Sequence, residues 1–231
     1  MNNYVSHSVY FGIALSLLTY WLALKIRTRF DNPFVNPLLL SAIFTIIILS
    51  ILKIDYQSYH QGAQMMTHFL TPATICLAIP MYRQSRILAK HADAIFISLI
   101  CGSIAGMLSI IVICLLWDAP HMLIFSLLPK SVTTSIAIGV SELIGGNSTI
   151  TVGVVIVTGI LGACLSQTVF KYFRIEHPVA KGLALGNSAH AIGTAKALEL
   201  GDLEGAMSSL SIVIAGVITV FLAPIVVNLL F

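Results

Sequence analysis

Three stretches of this chain, residues 94–117, 150–170 and 207–230, contain no charged side chain and consist mainly of aliphatic residues. A helix of about 20 apolar residues is long enough to cross the hydrocarbon core of a bilayer. Inside lipid, each backbone amide and carbonyl needs a hydrogen-bond partner within the protein, which a helix supplies along its own length. These runs therefore predict an all-α polytopic membrane protein.

The remaining sequence supports the same fold class. Charged residues make up 9% of the chain and hydrophobic residues 58%, whereas water-soluble domains carry about 25% charged residues. Residues 8–24 and 37–52 are further apolar segments, and residues 69–82 form a shorter one that Pro72 and Pro80 interrupt. We therefore expect residues 1–231 to form a single domain whose main partner is the lipid bilayer.

Basic residues follow three of the apolar segments and predict the orientation. The clusters are Arg27 with Arg29, Arg83 with Arg86 and Lys90, and Lys171 with Arg174 and Lys181. The positive-inside rule places all three clusters in the cytoplasm and both termini outside. Residues 122–146 must then cross the membrane an even number of times, as a re-entrant hairpin does. The same argument makes residues 181–201 a hairpin that enters from the cytoplasm.

The predicted fold is about six full transmembrane helices plus two oppositely oriented re-entrant or broken-helix hairpins. Residues 8–92 hold the N-terminal helices and a short broken helix, residues 93–146 a first repeat unit, residues 150–205 a second, and residues 207–230 the final helix. Ser131 matches Ser188 and Glu142 matches Glu199 at the same offset, which indicates an inverted repeat. Transporters commonly bind substrate between such repeats, where broken helices meet.

The two hairpins hold the polar and ionisable residues that would be costly in lipid without a function. The candidate substrate-binding residues are Lys130, Ser131, Thr133, Thr134, Asn187, Ser188, His190 and Thr194. Hydroxyl donors, a cation and the positive end of an interrupted helix together suit a small carboxylate. His190, Glu142 and Glu199 are candidates for carrying a coupling proton, and Pro72, Thr74 and Pro80 are candidates for a third broken helix.

Each candidate also has a structural alternative. Lys130 can extend to the membrane interface as an anchor, and His190 can be an interior histidine with its hydrogen bonds satisfied. Glu199 lies three residues after Lys196, the spacing of an ordinary helix ion pair. Serine and threonine side chains often bond back to carbonyls of their own helix.

Other classes of function have no support in the sequence. The glycine-rich segments lack the phosphate-binding and dinucleotide-binding patterns, and the histidines lack metal-ligand spacing. The net charge of +3 is small and lies in short loops, which favours topology signals over nucleic-acid binding. We expect no enzyme activity, no cofactor and no metal.

Several strings resemble the LrgB/CidB family of membrane proteins. They are Asn-Pro-Leu-Leu at 36–39, Phe-Leu-Thr-Pro-Ala-Thr at 69–74, Leu-Pro-Lys-Ser-Val-Thr-Thr at 128–134, Gly-Asn-Ser-Ala-His-Ala-Ile-Gly-Thr at 186–194, and Gly-Ala-Met-Ser-Ser-Leu at 205–210. The chain has Ser135 where the family string usually continues with proline. Its length and composition resemble small enterobacterial members, which implies a multi-pass protein of the bacterial inner (cytoplasmic) membrane.

The resemblance implies two functions. Plastid relatives transport glycolate and glycerate, and some bacterial relatives are associated with pyruvate uptake. Others are described as antiholin-like regulators of murein hydrolase export and autolysis, working with a small holin-like membrane protein of the LrgA/CidA type. Because a carrier needs a site that both sides reach alternately, the paired hairpins favour a secondary transporter of small monocarboxylates of the glycolate, glycerate, lactate and pyruvate class. The antiholin-like regulator is the alternative, and a pore-forming subunit is a third. A homodimer is a further possible partner arrangement, because carriers of this size often need a fixed scaffold.

Overall fold

The computed structural model describes residues 9–29, 37–69, 72, 75–76, 78–83, 85–90 and 92–231. Within these ranges the regular elements are all helices, with no strand. They are α1 (Val9–Arg29), α2 (Pro37–Leu52), α3 (Tyr56–Ala63), a 3₁₀ helix (Gln64–Phe69), α4 (Ala78–Arg83), α5 (Ser85–Lys90), α6 (Ala92–Leu116), α7 (His121–Leu127), α8 (Thr134–Leu143), α9 (Ser148–Tyr172), α10 (Pro178–Leu200) and α11 (Asp202–Leu230). The predicted all-α fold class is confirmed.

Three helices of the described chain are long and apolar enough to cross a membrane: α6, α9 and α11. They contain the three uncharged runs of the sequence. The shorter apolar helices are α2 and α8. The number of about six full spans and the outside location of both termini therefore stay predictions. The assignment of each loop to one side of the membrane also stays a prediction.

Local sequence signals explain where these helices begin. Asn147 precedes α9, and its side-chain oxygen accepts hydrogen bonds from the amides of Thr149 and Ile150 at 3.0 and 3.2 Å. Such a cap satisfies amides that have no partner inside the helix. Pro178 occupies the first turn of α10, where its fixed φ suits a helix and its missing N–H costs nothing. Asp202 and Glu204 lie in the first turn of α11, where negative charge is favourable.

Four helices end in the same backbone motif, a residue with positive φ just beyond the helix. These residues are Lys53, Asp118, Gly145 and Arg174, with φ of 51°, 48°, 84° and 53°. In each case the residue's amide bonds to the carbonyl three residues earlier, and the next amide bonds to the carbonyl five residues before it. This is the Schellman motif, in which glycine fits the position with positive φ best. Of these four positions, only 145 carries a glycine.

The contacts divide the chain into two units, Met1–Cys76 and Leu77–Phe231. In the first unit α1 packs against α2 and α3, and the buried hydroxyls of Thr19 and Thr45 lie 3.0 Å apart. The predicted single domain stays a prediction. Of the residues predicted to break a third helix, Pro72 is exposed, Pro80 lies within the short helix α4 and Thr74 falls outside the described residues.

The second unit contains both predicted hairpins. The chain reverses between α7 and α8, because Gly146 and Asn147 return to Ser126: the amide of Asn147 donates to Oγ of Ser126 at 2.7 Å. Thr151 of α9 donates to Ser141 at 2.7 Å and lies 2.9 Å from the carbonyl of Ser126. This buried hydroxyl cluster fixes the first hairpin against α9. Helix α11 packs against α4, α6, α8 and α10.

Candidate functional site

Helix α10 is broken in its middle at His190, whose φ of 42° and ψ of −133° are not helical. The chain folds back there. Gly193 packs directly against the carbonyl of Leu185, and Leu185 shares a buried apolar cluster with Ala197. In a straight helix residues 185 and 193 would lie about 12 Å apart. Residues 181–201 therefore form the predicted hairpin, with His190 at its tip.

The two broken segments meet at a small cavity of about 20 Å³. Ser131, from the loop between α7 and α8, lines one wall, and Asn187, three residues before the break in α10, lines another. The other lining residues come from α6, the α7–α8 loop and α11: Gly102, Ser103, Gly106, Met107, Leu128, Val132 and Thr219. A cavity of this size holds about one water-sized group.

Asn187 is held in a defined orientation by α6. Its side-chain oxygen accepts a hydrogen bond from Ser103 at 3.2 Å, which leaves the amide NH₂ as the free donor end. That nitrogen lies directly over Gly102, so a Cβ at position 102 would collide with it. The close approach needs glycine, and it explains why the sequence places one there.

Ser131 forms the opposite side of the cavity, and Lys130 is its neighbour in the chain. Both are half-buried, and Nζ of Lys130 donates to Oγ of Ser131 across 3.4 Å. The hydroxyl proton of Ser131 thus remains available for another acceptor. Thr133 occupies the position before α8 and makes no side-chain capping bond, while Thr134 is the first helical residue. The first amides of α8 therefore have no side-chain cap.

Around one small space, this arrangement collects the hydroxyl of Ser131 and the amide of Asn187, with the cation of Lys130 3.4 Å from the hydroxyl oxygen. Each of these groups favours negative charge or a lone pair. The site suits one oxygen of a carboxylate. Of the predicted residues, Ser131 and Asn187 line the cavity, and Lys130 contacts Ser131.

His190 is buried but lines neither this cavity nor the larger groove beside it. Its Nε2 lies 2.9 Å from the carbonyl oxygen of Val155 in α9. Because a carbonyl only accepts hydrogen bonds, Nε2 carries a proton and donates it to Val155. The ring also lies against Gly159, where a Cβ would come within 2.6 Å of Cε1. The histidine thus ties the tip of the hairpin to α9.

The remaining predicted residues lie apart from the cavity. Thr194 is buried and bonds to the carbonyl of His190 at 3.1 Å and to Ser208 of α11 at 2.7 Å. Ser188 is exposed and bonds back to the carbonyl of Ala184 at 2.6 Å. Glu142 and Glu199 are exposed, and Glu199 pairs with Lys196 at 2.9 Å. For Ser188 and Glu199 the structure therefore shows the structural alternatives: a serine bonded to its own helix and an ordinary helix ion pair.

A larger groove of about 510 Å³ runs between α6 and the first half of α10. It shares Gly102 and Asn187 with the small cavity and extends to Ala94 and His177, near the beginnings of the two helices. Its other lining residues are mostly apolar: Ile95, Ser98, Leu99, Val179, Ala180, Leu183 and Ala184. The groove therefore connects the polar cavity with the helix ends that carry the predicted cytoplasmic loops.

Sequence reasoning missed Ser103 and Thr219, which contribute polar groups to the cavity from α6 and α11. Each lies in an apolar span that also contains other serines or threonines. Ser109, for example, bonds to a carbonyl of its own helix. The sequence carries no signal that separates these two cases. The sequence predicts close helix packing at Gly102, Gly106, Gly159 and Gly162. A Cβ would collide with a neighbour at 102, 159 and 162, whereas at Gly106 it meets nothing within 4 Å.

Comparisons with known proteins agree with the sequence resemblance. A sequence model of the LrgB-like family matches residues 16–229. The uncharacterized protein YwbG of Bacillus subtilis (strain 168) is 38% identical over 217 residues, covering 94% of this chain and 96% of YwbG. No solved structure matches the chain. The apolar helices and the family match together make this a membrane protein, and the chain belongs to the LrgB-like family.

Proposed function

We propose that this protein is a secondary transporter of small monocarboxylates, of the glycolate, glycerate, lactate and pyruvate class, in the bacterial inner membrane. The observation that carries the proposal is the meeting of two broken segments at one polar cavity. Ser131 comes from one segment and Asn187 from the other. Carriers place their substrate where such segments meet, because movement of one segment then opens the site to one side of the membrane.

The chemistry of the cavity supports an anionic substrate. Asn187 offers an amide donor and Ser131 a hydroxyl donor, and Lys130 lies 3.4 Å from that hydroxyl. A carboxylate oxygen bound between them gains hydrogen bonds to a charged group, which are worth about 1.5–3 kcal/mol each. The cavity holds little beyond one carboxylate oxygen, so the rest of the acid must lie outside it.

The groove between α6 and α10 supplies a path to the site. It ends at Gly102 and Asn187, so the body of a small acid can lie in the groove with its carboxylate at the cavity. In the proposed cycle, the hairpin bends at His190 and closes this path while opening another. His190 is the proposed carrier of a coupling proton, through the ring nitrogen that is not bonded to Val155.

Uptake into proteoliposomes tests the proposal directly. We expect saturable uptake of labelled glycolate, glycerate, lactate or pyruvate by the purified protein, with a rate that depends on an imposed pH gradient. Asn187→Ala and Lys130→Ala should each raise the substrate concentration for half-maximal uptake by roughly tenfold or more, because each removes a group that faces the anion. His190→Ala should lose the response to the pH gradient.

Ser188→Ala is the matched control. Ser188 neighbours Asn187 in sequence but is exposed and bonds to its own helix, so its removal should leave uptake unchanged. No uptake of any of the four acids, even with the small holin-like partner reconstituted, would overturn the transporter and favour the antiholin-like regulator. Conductance without saturation would favour a pore.

A further inference from the structure

A second pocket, of about 380 Å³, lies at the end of α9, and it shares no lining residue with the candidate transport site. Three cations and one carboxylate line it, a net charge of +2, above an apolar floor. The charged residues are Lys171, Arg174, Lys181 and Glu176, the floor is Phe170, Ile175 and Leu200, and Gln167 completes the wall. The pocket is therefore amphipathic, with a basic rim and a hydrophobic base.

Within the described chain, no ion pair neutralises the cations of this rim. Lys171 and Arg174 are exposed, Lys181 is half-buried, and within the described chain their side chains form no hydrogen bond or ion pair. Lys196, by contrast, pairs with Glu199 at 2.9 Å. Three unpaired cations around one concavity repel one another, so an anion bound between them is favoured.

The backbone at Arg174 helps to shape the floor of the pocket. This residue has φ of 53° in the Schellman motif that ends α9: its amide bonds to Lys171 and the next amide, of Ile175, bonds to Phe170 at 2.8 Å. Glycine fits this position best. The motif turns the chain so that Ile175 packs against the apolar cluster that contains Phe170, and both residues line the pocket floor.

The surroundings indicate a ligand from the membrane. Tyr172 and Phe173, beside the pocket, are 80% and 66% exposed and their rings pack edge to face at 5.1 Å. Exposed aromatic residues at the end of a spanning helix are typical of the membrane–water interface. Basic pockets between helices on the cytoplasmic side attract anionic lipid head groups.

We infer that this pocket binds the phosphate of an anionic phospholipid head group. Lys171, Arg174 and Lys181 surround the phosphate, and the apolar floor accepts the glycerol ester and the upper acyl chain. Lys181 and Leu200 lie near the two ends of the hairpin helix α10, so a bound lipid holds the base of the hairpin against the end of α9.

Binding of short-chain lipids to the purified full chain in non-ionic detergent tests the inference. Dioctanoyl phosphatidylglycerol should bind saturably in native mass spectrometry or thermophoresis, and dioctanoyl phosphatidylcholine should bind much more weakly. Arg174→Gly and Lys171→Gln should each lower the affinity for phosphatidylglycerol about fivefold, which is the effect of one basic residue near an anionic lipid surface. Arg174→Gly should keep or raise the melting temperature, because glycine suits the positive φ.

Lys53→Gly is the matched control, since Lys53 occupies the same motif at the end of α2 and carries the same charge. It should leave lipid affinity unchanged. Equal weakening by Lys53→Gly would overturn the inference in favour of diffuse surface charge. Equal binding of both lipids, or displacement of phosphatidylglycerol by an equal concentration of inorganic phosphate, would overturn the lipid source. Unchanged affinity in both Arg174→Gly and Lys171→Gln would overturn the pocket itself.

Discussion

Asn187 and Ser188 are adjacent in the sequence and equally polar, yet they have different surroundings. Asn187 is fixed by Ser103 and lines the cavity, whereas Ser188 is exposed and satisfied by its own helix. The sequence alignment of the two hairpins pairs Ser131 with Ser188. In the structure, Asn187 is the residue that shares a cavity with Ser131, because the helical turn rotates Ser188 to the other side.

Gly159 should tolerate no side chain, because the ring of His190 lies directly against its backbone. We predict that Gly159→Ala lowers stability by about 1–3 kcal/mol, the usual cost of overpacking a tight contact. A Cβ at this position would lie 2.6 Å from Cε1 of the ring. Thermal unfolding of the purified protein in detergent measures the effect.

Gly153→Ala is the control for this prediction, since it lies on the same helix and a Cβ there meets nothing within 4 Å. It should leave the unfolding temperature unchanged or slightly raise it, because alanine favours helix over glycine. Equal stability of the two variants would contradict the described contact between α9 and the hairpin tip.

Helix α10 consists of two segments that meet at the break at His190. The segment before His190 packs against α6 and bears Asn187, while the segment after it bears Thr194, which bonds to Ser208 of α11 at 2.7 Å. Gly182 and Gly186 let the first segment approach the backbone of α11 at Glu204 and Ser208. Both halves of the hairpin are thus held against the same long helix.

The bond between Thr194 and Ser208 should contribute to this attachment. Thr194→Val keeps the shape and leaves the buried Ser208 hydroxyl without that partner, so we predict a loss of about 1–3 kcal/mol in unfolding free energy. Ser208→Ala should cost a similar amount, and the double variant less than the sum of the two. Denaturation curves of the four proteins give the coupling energy.

Ser109→Ala serves as the reference variant, because this exposed hydroxyl bonds only to the carbonyl of Gly106 at 2.7 Å. It should change stability by less than about 0.5 kcal/mol. Strict additivity of Thr194→Val and Ser208→Ala would show that the two hydroxyls do not support one another.

Across the whole second unit, the small cavity and the groove form one continuous feature, since Gly102 and Asn187 line both. The groove reaches the beginnings of α6 and α10, and each of these helices begins just after a basic loop. In the proposed transporter this conformation is open toward the cytoplasm. We therefore expect substrate to reach Asn187 from that side.

Cysteine accessibility tests this direction. With the four native cysteines replaced, Ala184→Cys in the groove should react with a membrane-impermeant maleimide in inside-out vesicles and much less in right-side-out vesicles, and saturating substrate should slow the reaction. Val213→Cys on α11, at a site 59% exposed outside the groove, should remain unlabelled because it faces lipid. Faster labelling of Ala184→Cys in right-side-out vesicles would reverse the assigned orientation.

Several features follow from the sequence by itself because they depend on local chemistry. Uncharged runs over α6, α9 and α11 determine the membrane helices, since lipid requires each backbone group to be bonded internally. Basic loops and glycine-rich polar strings predict the two reversals. The family resemblance is also a property of the sequence, and the family match over residues 16–229 confirms it.

Only the tertiary structure decides which polar residues share a site. Ser103 and Thr219 join Ser131 and Asn187 through packing of helices that are far apart in the chain. The positive φ at Arg174 could not be predicted from the sequence, because the position carries an arginine and not a glycine. The physical reason is that burial and hydrogen bonding depend on the neighbouring helix face. A sequence records which groups each helix carries but not which of them meet.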